Sequence, residues 1–410
     1  MTHPTHNRFL IILILGSLST LSPFAIDMYL PAFPEIAATL HTSTAKVSLS
    51  VSSYFAGLAV GELIYGPLLD RFGRKLPLYA GLVLFAVASL FCLFVHTVQE
   101  LAALRFLQAL GGCAAQVAAM AMVRDFFPVR ETAKIISWLI LILGVSPLLA
   151  PTVGSAVASH WGWRWVFIIL ASVAVLNLVV CWTCLPDAHQ PDKTVSLRPL
   201  PILRNYVAVL REPQFTVFAV SGSFALAGLL AYVAGSPVMF MDVFHVSPRG
   251  FGMIFAGLAT GFIGSNQFNV LLLRRFTSDR IFSGALLIAL PVTMVFLIGT
   301  IVGFGLWPTL VLLFIVLASV GVTGPNGAAL AISPFARNIG SASAMLGFLQ
   351  IGISGLASSI IGLTDSHQVF PVGLVLAGTT AIALAIYWMG RRRIGEVRFV
   401  EEEGATPLES

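Results

Sequence analysis

The sequence predicts an all-α membrane protein with twelve transmembrane helices in two six-helix bundles. Three observations predict it. The 410 residues are 57% apolar and only 10% charged, whereas a soluble domain averages about 25% charged residues, so too few charges exist to cover a water-facing surface. Apolar runs of about 20 residues, enough to cross a bilayer, recur twelve times along the chain. The longest polar stretch, PDAHQPDKTVSLRPLPILRNYVAVLREP, has six of those runs before it and six after, as expected for two repeated halves joined by a linker.

The runs fall at 8–31, 46–67, 77–96, 100–123, 132–158 and 164–185, then at 214–236, 248–274, 281–303, 308–331, 339–362 and 369–390. This divides the chain into an N-terminal bundle (1–185), a linker (186–213), a C-terminal bundle (214–390) and a tail (391–410). The first run follows Arg8 and resembles a signal peptide at its start. It continues to Leu30 with no small-residue cleavage site, and so reads as a retained span. The fifth and eighth runs are long and carry Gly and Pro, which predicts tilts or kinks. A faint repeat relates the halves: Leu69-Asp70-Arg71-Phe72 after span two matches Leu273-Arg274-Arg275-Phe276 after span eight. Arg274 stands where Asp70 does, so the two loops are not equivalent.

Twelve spans put the termini on one side, and Lys and Arg decide which. With the N-terminus cytoplasmic, 19 of the 23 basic residues fall inside; only Lys46, Arg105, Arg164 and Arg249 fall toward the outside. Both termini are therefore expected in the cytoplasm. The net charge of +5 is spread over short inter-span clusters and offers no basic face for nucleic acid. Cys92, Cys113, Cys181 and Cys184 lie within apolar runs and read as packing residues. The eight histidines show no ligand spacing. No nucleophile–base pair, metal cluster or phosphate loop appears, so an enzyme is not expected, nor a metal or cofactor.

One stretch stands out for its charge: GPLLDRFGRKLPL, residues 66–78, between spans two and three. Gly66-Pro67 ends one helix, Gly73 permits a tight turn and Pro77 suits the first turn of the next helix. Arg71, Arg74 and Lys75 serve as inside anchors, but that does not explain Asp70. The stretch resembles the D-R-x-G-R-[RK] signature of the major facilitator superfamily. The resemblance implies that superfamily's fold. It also implies a conformational latch in which Asp70 meets a helix N-terminus of the other half, here near Asn338–Ser341, when the inside is closed. A helix N-terminus carries about half a positive charge, which suits an aspartate.

Three ionisable residues lie within spans: Asp27, Glu62 and Arg105. Intramembrane charges are costly and point to function. At about 1.5 Å per residue, Asp27 and Arg105 lie at matched depth in the outer third and are expected to pair. Glu62 lies near the cytoplasmic end of span two. Arg105, Gln108, Gly112 and Gln116 share one face of span four. This resembles the R-x-x-Q-G signature of drug:proton antiporters, with Ala109 in place of its glycine. IDMYLPAFPEI, VRDFFP, ISWLILILGVSPLLAPTVGS, GWRWVF and GSASAMLGFLQ together resemble the bicyclomycin/chloramphenicol resistance (Bcr/CflA) branch of those antiporters, from span one to span eleven. The resemblance implies that Asp27 carries the proton and that Arg105 tunes it. The alternative is a static salt bridge, or an acid wet at the outer mouth. Glu62 departs from the glutamine usual in that branch. It is either a second proton site or, as favoured, an acid that snorkels to the interface or pairs with the basic loop.

In span five, Gly144, Pro147, Pro151 and Gly154 form one face of small and kinking residues, similar to the exporter-associated antiporter signature, with Ala150 replacing a glycine. Gly257, Gly261 and Gly264 of span eight are expected to pack on it. A substrate cavity between the halves would be mostly apolar with a few polar groups. Tyr54, Gln108, Gln116, Met120 and Tyr232 are its candidates, as are Asn266, Asn269, Asn326 and Gln350, although each amide serves equally as helix glue. The resulting expectation is a monomeric, proton-gradient-driven exporter of small amphipathic drugs in the bacterial inner membrane. The alternative cargo is an endogenous metabolite such as an amino acid or peptide. Uptake by symport is disfavoured by the span-five signature.

Overall fold

A computed structural model describes residues 8–186, 191, 197–335, 339–364, 368–395 and 397–398. Each predicted span falls on one long helix. The first set is α1 (Arg8–Asp27), α3 (Thr44–Phe72), α4 (Lys75–Phe91), α5 (Val98–Phe126), α6 (Val129–Trp161) and α7 (Arg164–Cys184), with a short α2 (Phe33–Thr39) after α1. After a linker helix, α8 (Pro199–Leu210), come α9 (Pro213–Pro237), α10 (Pro248–Leu272), α11 (Ser278–Val302), α12 (Leu306–Ile332), α13 (Ile339–Thr364) and α14 (Phe370–Ile394).

Local chemistry sets several helix ends. Ser43 caps α3 by accepting from the Lys46 amide at 3.2 Å, and α3 stops at Gly73, whose φ of +79° few side chains adopt. Before α5, Thr97 caps the helix by accepting from the Glu100 amide at 3.2 Å, while the Glu100 carboxylate accepts from the His96 amide, one residue before the cap, at 2.8 Å. Pro128 precedes α6 and Ser247 caps α10. α9 passes into a π-helical turn, Val238–Val243.

Among the described residues, eleven helical segments are long and apolar enough to cross a membrane. The predicted count was twelve. α10 is the long helix left out: at 25 residues it has the length, but Gly264-Ser265-Asn266-Gln267 and Asn269 dilute its apolarity. It packs between α12 and α6, where neighbouring helices rather than lipid meet part of its polar surface. The linker also holds a helix, α8, that the sequence reading did not anticipate. Ile202, Tyr206 and Val209 join the core beside Phe215 and Met345.

α1 and α3–α7 pack among themselves, as do α9–α14, and the two sets meet chiefly along α3–α13 and α6–α10. Close contacts between the sets include those at the end away from the 66–78 loop. There Ser52 and Ser358 hydroxyls are 2.8 Å apart, and Thr44 donates to Asp242 at 3.4 Å. Gly355 and Gly362 of α13 sit against Phe55 and Leu49 of α3. At the opposite end, beside the 66–78 loop, a cavity of ≈ 710 Å³ separates α3 and α5 from α13 and α8.

Candidate functional site: buried charges, two cavities and a charged loop

Arg105 is fully buried on α5. Its guanidinium donates to the Ala25 carbonyl of α1 at 2.9 Å and to the Gln108 side-chain carbonyl. It also lies over the rings of Tyr54 and Tyr29, with 4.2 and 4.8 Å to the centroids. Aromatic faces attract a desolvated cation, which offsets part of its burial cost. Gln108 in turn donates to Ser89 of α4 at 2.7 Å. The chain Ala25–Arg105–Gln108–Ser89 therefore ties three helices together. Close approach is helped by glycines: a Cβ on Gly111 would lie 2.5 Å from the Gly81 carbonyl, and one on Gly112 2.5 Å from the Ser22 hydroxyl.

The expected Asp27–Arg105 ion pair is not formed; among the described residues Asp27 makes none. Ala25 and Asp27 are two residues apart, which is about 200° around a helix. Arg105 therefore meets the α1 backbone on the α5 side while Asp27 faces the other helix set. There Asp27, 6% exposed, lines a cavity of ≈ 200 Å³ with Pro23, Ile26 and Pro147 on one side and Leu229, Tyr232, Phe255 and Phe262 on the other. The walls are almost wholly apolar. The Tyr232 hydroxyl is buried without a hydrogen-bond partner among the described residues.

The larger cavity takes Glu62, Pro67 and Asp70 from α3, Gln116, Val117, Met120, Arg124 and Asp125 from α5, Tyr206 from α8, and Gly340, Ser341 and Ser343 from α13. Glu62 neither snorkels outward nor pairs with the basic loop: it faces this cavity, makes no ion pair among the described residues, and rests against Gly347. A Cβ there would lie 2.9 Å from the Glu62 carboxyl carbon. Tyr206 donates to the Leu63 carbonyl at 2.9 Å. That carbonyl lacks its usual helical partner because residue 67, four positions on, is proline. Burial and the Glu62 carboxylate raise the pKa of the Tyr206 phenol, so it stays a donor.

In the charged loop, Arg74 bridges Asp70 and Asp125 of α5, each at 2.8 Å. Partial burial opposes the Arg74 charge, but both carboxylates hold its pKa above the ordinary value. Asp70 is thus engaged with Arg74 rather than with α13. Gly340 and Ser341 lie across the ≈ 710 Å³ cavity, and Asn338 lies outside the described residues. A Cβ on Gly66 would meet nothing within 4 Å. Arg71 and Lys75 flank the turn on either side of Gly73 and Arg74.

On α6, Gly154 is essential to packing: a Cβ would fall 1.9 Å from the Met28 carbonyl oxygen. Gly144 faces Ile263 at 3.5 Å, Pro147 lines the Asp27 cavity, and Pro151 approaches Gly252 of α10 within 3.4 Å of a built Cβ. The expected α10 partners are displaced from this contact. Gly257 and Gly264 have nothing within 4 Å, and Gly261 faces Phe314 of α12. Gly252 precedes Gly257 by five residues, about 140° around the helix, so a different face meets α6.

The polar candidates separate as well. Gln116 and Met120 line the larger cavity and Tyr232 the smaller, while Tyr54 and Gln108 are spent on the Arg105 network. Asn326 donates to Asn269 at 2.7 Å, joining α12 to α10. Asn266 and Gln350 are half-buried and line neither cavity. Tyr206 and Asp125 were missed, although the proline four residues beyond Leu63 signals a free carbonyl; Ser341, expected at the latch, lines the larger cavity.

A helical bundle crossing the membrane many times, with charges inside apolar helices and cavities between two helix sets, is the architecture of a multi-pass membrane transporter. The family model of the Major Facilitator Superfamily matches residues 15–359, and the chain belongs to that superfamily. It is 32% identical to the uncharacterised MFS-type transporter YdgK of Bacillus subtilis, over 95% of this chain and 97% of that one. It is 26% identical to a bicyclomycin resistance protein homologue of Haemophilus influenzae (95% and 98% covered) and 29% identical to the multidrug resistance protein MdtL of Shigella flexneri (94% and 97%). Its fold is similar to that of a D-xylose–proton symporter, with a TM-score of 0.77 at 14% identity, covering 95% of this chain and 99% of that one.

Proposed function

We propose that this transporter is a proton-coupled exporter of small amphipathic drugs, working by alternating access in the bacterial inner membrane as a monomer with both termini cytoplasmic. The observation that carries the reading is Asp27: an acid without an ion pair among the described residues, in an apolar cavity walled by both helix sets. Such an acid binds a proton when sealed from water and releases it when wetted. The names of the drug-resistance relatives support the cargo class.

In this reading Asp27 carries the proton, and Arg105, bonded to the α1 backbone at Ala25, sets the electrostatic background without pairing with it. The 66–75 loop is the latch. Contact at Ser52–Ser358 and the cavity beside the loop support reading this arrangement as the cytoplasm-open state of the cycle. Its Asp70 is then parked on Arg74, free to meet the α13 N-terminus when that side shuts. Gly144, Pro147, Pro151 and Gly154 make α6 the close-packed element on which the sets rock. The two bundles, 1–185 and 214–390, move as units joined by the linker.

The test uses purified protein in liposomes enclosing a pH-sensitive dye, under an imposed proton gradient. Adding chloramphenicol or bicyclomycin is expected to dissipate the gradient, and Asp27→Asn to abolish that response while still inserting normally. Uphill drug transport by Asp27→Asn would refute the assignment. A drug-insensitive wild type would shift the cargo to an endogenous metabolite.

A further inference from the structure

The ≈ 710 Å³ cavity is within the usual range for organic ligands, about 300–1,000 Å³, and its charges are unevenly balanced. At the mouth, Asp70, Arg74 and Asp125 satisfy one another at 2.8 Å. Arg124, exposed, also lies at that level. Glu62 lies eight residues before Asp70, and Gln116 eight before Arg124, so both sit about 12 Å deeper along their helices. At that depth the remaining walls are Val117, Met120, Tyr206, Ser343 and Ala344. None is basic. Glu62 has no ion pair among the described residues, and its carboxylate packs against Gly347, where a Cβ would come within 2.9 Å of the carboxyl carbon.

A carboxylate in a membrane-depth cavity is costly unless something balances it. Among the described residues no cation pairs with it, while Val117 and Met120 offer an apolar surface in the same cavity. We propose that Glu62 is a substrate-recognition residue, and that this cavity takes monovalent lipophilic cations: the positive centre against Glu62 and the apolar body against Val117 and Met120. This deepens the export reading and rests on it for the direction of transport, but not for binding. Asp27 and Glu62 then divide the work, the first carrying the proton in the small cavity and the second selecting charge in the large one.

The experiment measures equilibrium binding of tetraphenylphosphonium and of neutral chloramphenicol to the purified full-length protein, with no proton gradient. Glu62→Gln is expected to weaken tetraphenylphosphonium binding at least tenfold and chloramphenicol binding less than threefold. Gly347→Ala, which crowds the carboxylate but leaves its charge, is expected to weaken cation binding as well. A wild type that does not bind tetraphenylphosphonium, a Glu62→Gln variant that binds it normally, or one that loses both ligands equally would each overturn the proposal. Tetraphenylphosphonium binding with no chloramphenicol binding would leave the cation site standing and remove the neutral-drug cargo. A melting temperature for each variant separates loss of binding from loss of fold.

Discussion

Arg105 is held by shape as much as by charge. Its planar group donates to Ala25 and Gln108 while stacking on Tyr54 and Tyr29. A lysine has a point charge and no plane, so it cannot do both. Arg105→Lys is therefore expected to destabilise the protein by about 1–3 kcal/mol, read as a lowered melting temperature in detergent; an unchanged melting temperature would contradict this account. The presence of costly charges at 27, 62 and 105 was legible in the sequence, because a charged residue in an apolar run is visible without coordinates. Their partners were not. Matched depth suggested an Asp27–Arg105 pair, but depth is one coordinate, and the angle around α1 sent Asp27 to the other helix set.

Among the elements, α6 shows which part of a small-residue pattern carries weight. The face Gly144–Pro147–Pro151–Gly154 is evident from spacing alone. What it packs against is not, since Gly252 rather than Gly257, Gly261 or Gly264 meets it. The two kinds of glycine predict opposite responses. At Gly154 a methyl would collide with the rigid Met28 backbone, so Gly154→Ala is expected to cost about 1–3 kcal/mol by overpacking and to impair transport. At Gly257 the space is open and Gly257→Ala is expected to be neutral in the same thermal and transport assays. Equal effects at the two positions would show that the α6 crossing is not limiting. The linker helix makes a related point. Its polar composition hid a helix whose Ile202, Tyr206 and Val209 face inward, because a short amphipathic segment never satisfies a search for 20 apolar residues.

For the molecule as a whole, the two sets are in contact at one end and separated by a cavity at the other, and the proposed transport cycle depends on that asymmetry. Ser52 and Ser358 face each other at 2.8 Å across the two sets. Replacing both with cysteine is expected to allow an oxidative cross-link that traps the present state and stops transport, with activity returned by a reductant. Full transport by quantitatively cross-linked protein would show that this contact need not break. The sequence by itself determined the membrane-spanning class, the twelve long helices, the charged loop and the buried ionisable residues. Those follow from local composition and spacing, and each span must satisfy its own backbone within the helix. Only the tertiary structure decided that Asp27 and Arg105 stand apart, that Glu62 faces a cavity rather than lipid, which glycine of α10 meets α6, and which end is closed. These depend on how helices rotate and cross, which is set by side-chain contacts between segments far apart in the chain and not by the pattern within any one of them.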